Sequence, residues 1–122
     1  MNDTSKGPAI RNVSDTARWV AFYRAMETER KDAIFRDPYA RKLAGARGEE
    51  IVNTLRGGKR QAWAMVVRTA LLDDMLLRTI AAEDIDLVVN LAAGLDTRPY
   101  RLALPAALQW VEVDLPAMIA YK

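Results

Sequence analysis

The residues best placed to do chemistry sit where two short apolar runs end. The first run, Leu87-Val88-Val89-Asn90-Leu91, passes into Ala92-Ala93-Gly94-Leu95-Asp96, and the second, Trp110-Val111-Glu112-Val113, ends in Asp114. Gly94 and Asp114 are 20 residues apart. In doubly wound α/β folds, a small-residue turn after the first strand lets the backbone approach a nucleotide. A carboxylate about 20 residues further on then binds the ribose hydroxyls. Small side chains at Ala92, Ala93 and Gly94 keep bulk away from such a ligand, and the Asp114 carboxylate can accept two hydrogen bonds from a vicinal diol. Strands also end in Gly and Asp for turn chemistry alone, so by itself the pattern leaves both readings open.

The kind of nucleotide is narrowed by what surrounds the turn. Dinucleotide binding asks for G-x-G-x-x-G opening a helix, but Gly94 is the only glycine here, Thr97 stands in the third glycine's place, and Pro99 follows. A diphosphate would find few backbone N–H groups, so a nucleoside without phosphates suits the turn better. The chain has no Cys and no His. That removes disulfides, thiolate nucleophiles, imidazole bases and nearly every zinc or haem site, so no metal is expected and no catalytic residue can be named.

The elements that must position these residues can be read from periodicity. Residues 1–12 are polar and read as a loose arm before a helix capped by Ser14 or Asp15. Trp19, Phe22, Tyr23 and Met26 put an aromatic stripe on one face of that helix, better suited to packing than to a lid. Arg24, Glu27, Glu29, Arg30, Lys31 and Asp32 alternate in sign, as on a solvated face. Asp37-Pro38 marks a helix start, Gly45 its exit, and a second short helical run covers Glu49 to Leu55 before Gly57-Gly58. Gln61 to Ala82 reads as one long helix with Ala64, Val67, Leu71 and Met75 on a common face. The two apolar runs then read as buried, parallel strands. Pro99 and Pro105 shorten whatever helix lies between them, and Pro116 opens another.

The segment Val89-Asn90-Leu91-Ala92-Ala93-Gly94-Leu95-Asp96-Thr97-Arg98-Pro99-Tyr100-Arg101-Leu102 resembles the signature of the leucine carboxyl methyltransferase-like family of S-adenosylmethionine-dependent methyltransferases. The likeness extends to Val13 through Ala21, Phe35 through Ala40, Arg68-Thr69 with Asp73-Asp74, and Glu112 through Pro116. It implies an α/β fold, namely the N-terminal part of a Rossmann-like methyltransferase. A helical region over 1–84 on the lid and substrate side would precede the first two parallel strands, over 85–122, of an incomplete sheet. It also implies S-adenosyl-L-methionine as cofactor. On this resemblance Arg68 pairs with the methionine carboxylate, a task suited to a bidentate guanidinium, unless it forms a salt bridge with Asp73 or Asp74. Gly94 closes the cofactor turn and Asp114 binds the ribose. Ala92 departs from the family, which usually has glycine there, so its methyl crowds the methionine moiety or is absorbed by a backbone shift.

Length and charge bound the remaining readings. With 122 residues the chain is one small domain, and the family builds a seven-stranded sheet from about twice that length. Two strands leave Val88, Leu91, Val111 and Val113 short of cover and sheet edges open, which predicts self-association and little activity for the isolated chain. Three classes of function follow. The first is a methyltransferase acting on a carboxylate or hydroxyl oxygen of a small molecule. The second is an inactive fragment or partner-binding remnant of one. The third and weakest is a basic nucleic-acid-binding module. The net charge of +2 gives little reason for a polyanionic partner, although residues 1–60 carry 13 basic and 8 acidic side chains against 5 and 8 in 61–122. No apolar window has the length of a membrane span, the N-terminus lacks the apolar core of a signal peptide, and the absence of cysteine fits a reducing cytoplasm.

Overall fold

In the computed structural model, which describes residues 8–122, three helices precede a small parallel sheet. The elements are α1 (Val13–Thr28), α2 (Ala40–Thr54), α3 (Ala62–Ala82), β1 (Leu87–Leu91), α4 (Arg98–Arg101), β2 (Gln109–Val113) and α5 (Pro116–Tyr121). The first seven residues of the expected N-terminal arm lie outside the described residues.

Helix α1 is capped by Asn12, whose side chain accepts from the Asp15 N–H at 2.9 Å, and not by Ser14 or Asp15 as expected. The physical reason is that the Asp15 carboxylate is engaged elsewhere. Arg47 donates to both of its oxygens at 2.8–3.0 Å, and Arg11 binds it from the other side. The aromatic stripe packs as expected. Phe22 and Tyr23 are buried with Ala44 and Val52 of α2, Leu95 and Met118, while Trp19 and Met26 lean against this core. Helices α1 and α2 approach so closely that a Cβ at Gly48 would stand 2.6 Å from the Arg18 carbonyl oxygen, which admits only glycine. Gly45 breaks α2 internally with φ +60°, as its expected role as a helix exit requires.

Strands β1 and β2 are parallel neighbours, with Leu87 opposite Gln109 and Leu91 opposite Val113. Helix α4 is a single turn with Pro99 at its start, and α5 opens at Pro116. The mixed α/β order and the open parallel sheet agree with the fold that the resemblance implies.

Two further expectations are corrected. Arg24 and Glu27 do not lie on a solvated face; both are buried, Arg24 against Asp37 and Glu27 against the Ile34 N–H and Arg30. The strands, read from their apolar runs as buried, are not so throughout, and the shortage of cover expected at Leu91, Val111 and Val113 is what the structure shows. Leu91 is 71% exposed, and Leu87, Val89, Val111 and Val113 share its face. The stripe on α3 is real but points outward, with Leu71 64% exposed, while Val66, Thr69, Asp73 and Ile80 form the buried side.

Candidate functional site

The turn between β1 and α4 is held in an unusual backbone course. Ala92 has φ +53° and Gly94 φ +54°, both in the left-handed region that favours glycine. Three tethers define the turn: the Ala93 N–H donates to Val113 O at 3.2 Å, the Asp96 N–H to Ala93 O at 3.1 Å, and the Gly94 N–H to Asp114 Oδ2 at 2.6 Å. The other Asp114 oxygen accepts from the Leu115 N–H at 2.6 Å. Asp114 therefore ties the end of β2 to the turn after β1, and each of its oxygens keeps a lone pair for a further donor.

Arg68, Ala92, Gly94 and Asp114 all line one cleft of about 470 Å³, walled by Thr16 and Ala17 of α1 on the opposite side. A Cβ at Gly94 would reach to 3.7 Å from that of Ala17, so the missing side chain keeps the passage between turn and helix open. Arg68 is exposed along α3. The alternative of a salt bridge to Asp73 or Asp74 is not realised: Asp73 accepts from Arg98 at 2.7 Å and Arg101 at 2.6 Å, and Asp74 pairs with Arg78 at 2.9 Å. Among the described residues Arg68 forms no ion pair. The cleft thus combines a carboxylate with spare acceptor capacity, an unpaired guanidinium and a wall of small side chains.

A polar seam beneath the turn went unread in the sequence. Asp96 binds Asn90 Nδ2, the Arg98 N–H and the Arg98 guanidinium, each at 2.9 Å. Burial pushes the Asp96 carboxyl up, but the Arg98 N–H and guanidinium outweigh it and hold the group below its usual value. Arg24 donates to Asp37 Oδ2 at 2.9 Å and also to the Leu95 carbonyl oxygen. Burial lowers the affinity of its guanidinium for the proton, and Asp37 opposes that shift. One signal could have found Arg24: it is the only charge between Trp19 and Met26, embedded in the aromatic stripe.

A family model described as leucine carboxyl methyltransferase matches residues 17–122. Several bacterial proteins whose names carry the words S-adenosyl-L-methionine-dependent methyltransferase are similar. One from Streptomyces coelicolor is 41% identical over 115 residues, covering 88% of this chain and 40% of the relative. A Frankia alni protein is 38% identical over 131 residues, covering 100% of this chain and 46% of the relative. A Mycobacterium avium protein is 36% identical over 132 residues, covering 91% and 42%. The chain spans less than half the length of these curated relatives. With the family model extending over the turn, the seam and both strands, the chain belongs to the leucine carboxyl methyltransferase family.

Proposed function

We propose that the chain carries the cofactor-binding part of an S-adenosylmethionine-dependent methyltransferase acting on a carboxylate or hydroxyl oxygen of a small molecule. The observation that carries this reading is the convergence of Arg68, Ala92, Gly94 and Asp114 on one cleft, with Arg68 in no ion pair among the described residues. The donor set fits the cofactor. Arg68 offers a planar pair of donors to the methionine carboxylate, Asp114 offers its remaining lone pairs to the ribose hydroxyls, and the Ala93-Gly94 wall admits the nucleoside. S-adenosylmethionine supplies an already activated methyl group, so the protein's task is alignment and exclusion of water, for which neither His nor Cys is required. In this arrangement residues 1–84 form the lid and acceptor side, and residues 85–122 begin the cofactor-binding sheet.

Calorimetric titration with S-adenosylmethionine tests the cofactor assignment, and transfer of labelled methyl groups to a panel of carboxylate and hydroxyl acceptors tests the chemistry. Absence of binding to a full-length protein carrying this segment overturns the proposal.

A second reading is favoured by the bare sheet face and the α3 stripe. On it, the 122-residue chain alone is a non-catalytic piece that self-associates through those surfaces. Sedimentation of the purified chain at several concentrations separates the two readings: a monomer with robust turnover removes the second.

A further inference from the structure

Asp37 lies outside the cleft, on the loop between α1 and α2, yet it joins the cleft's two walls. Its side chain is fully buried. Oδ2 accepts from Arg24 Nε at 2.9 Å and from Thr97 Oγ1 at 2.5 Å, while Oδ1 accepts from the Tyr39 N–H at 3.0 Å. Arg24 closes the ring by donating its second nitrogen to the Leu95 carbonyl. Arg24 and Leu95 line the cleft; Asp37 and Thr97 do not. Among the described residues, the only hydrogen bond from α1 directly to the turn is the one from Arg24, and Asp37 fixes where Arg24 points. The sheet side of the turn is tethered separately, through Val113 and Asp114.

We infer that Asp37 is a positioning residue for the cofactor turn. Acting through Thr97 and Arg24, it holds residues 94–97 at the distance from α1 that keeps the cleft open to a nucleoside, without touching that ligand. The inference rests on the cofactor reading above. Its physical basis is that a turn with two left-handed residues persists only when its surroundings over-determine it, and a buried carboxylate that receives Arg24 from α1 and Thr97 from the turn, with the local Tyr39 N–H fixing its own orientation, does so. A merely stabilising ion pair would instead support the whole chain evenly.

Asp37→Asn would leave a buried guanidinium short of its counter-charge and risks failing to fold. The test therefore uses Thr97→Val, which removes the donor at nearly constant volume, and Thr97→Ser, which keeps it. Amide hydrogen exchange of the ligand-free chain is read residue by residue. Thr97→Val is expected to speed exchange of the Gly94, Asp96 and Arg98 amides at least tenfold while Val89 and Val111 in the sheet are unchanged, and Thr97→Ser should match the parent. Titration with S-adenosylmethionine should show about tenfold weaker binding for the Val variant, restored by Ser. Uniform acceleration along the chain, or an unchanged turn, overturns the positioning role. A parent protein that binds no S-adenosylmethionine but shows the local exchange pattern overturns the cofactor reading alone.

Discussion

The polar seam under the turn and the outer face of the sheet treat the same chain in opposite ways. In the seam, Arg24, Asp37, Asp73, Asp96, Arg98 and Arg101 are drawn out of water, and each finds a partner of opposite charge. On the sheet, side chains suited to burial stand in solvent: Val89 is 52% exposed although its strand is fully paired to β2 along one side. Strands β1 and β2 are thus fully paired to each other while the apolar face they share lies open.

The largest test of that contrast is Arg24→Ala. Removing one partner of a buried pair strands the other charge, and the expected loss is about 3–5 kcal/mol. The matched change on the bare region, Leu71→Ala, removes a side chain that is already exposed and should stay within about 0.5 kcal/mol of the parent. Urea denaturation of the two variants checks both numbers, and equal losses would erase the distinction.

The next effect concerns ligand and turn together. Asp114→Ala deletes the acceptor for the Gly94 and Leu115 N–H groups as well as the proposed ribose contact. Charged hydrogen bonds contribute about 1.5–3 kcal/mol, so S-adenosylmethionine should bind roughly ten- to a hundredfold more weakly by calorimetry. Asp114→Asn keeps one acceptor oxygen and should fall between.

Much of this was legible in the sequence, and the reasons it was not elsewhere are physical. The parallel strands followed from the change of period after Ala82, the nearness of Gly94 and Asp114 from their spacing, and the part of Arg68 only from the resemblance. Periodicity identifies a shared face but not what covers it, so the apolar runs read as buried strands while only the count of strands showed that cover would be short, and the common face of α3 carried no sign that it points outward. Alternating charges read as solvated because pairing between distant segments, such as Arg24 with Asp37 or Asp73 with Arg101, leaves no local pattern. The same holds for Asp15, whose partner Arg47 lies 32 residues away.

That Asp15 pair gives a smaller and pH-dependent effect. The Arg47 side chain holds the Asp15 carboxyl far below the usual carboxylate range, against the opposing pull of burial. A group whose folded value is depressed contributes stability above its unfolded value of about 3.9 and loses it as pH falls towards the folded value. Stability from this pair is therefore constant near neutrality and declines below about pH 4. Arg47→Gln should lower the denaturation midpoint at pH 7 and flatten its acid limb; an acid limb as steep as the parent's would assign the decline to other carboxylates.

The smallest expected effect separates the turn's shape from its chemistry. Ala92 holds φ +53°, where an L side chain costs roughly 1–2 kcal/mol relative to ordinary backbone. Glycine escapes that cost but loses about 0.4–1 kcal/mol through the freedom of its unfolded chain. The difference leaves Ala92→Gly more stable by about 0.5–1 kcal/mol, a rise in Tm of roughly 2–6 °C for a chain of this size. Ala92→Ser retains the Cβ and should show no gain. Because Ala92 also lines the cleft, the glycine variant removes a methyl from the ligand's side and should bind S-adenosylmethionine as tightly as the parent or more so. A lower Tm in Ala92→Gly would mean that contacts of the methyl outweigh the backbone strain. A clear loss of affinity without a change in Tm would make the methyl part of the binding surface itself, and the turn would then contribute by contact as well as by shape.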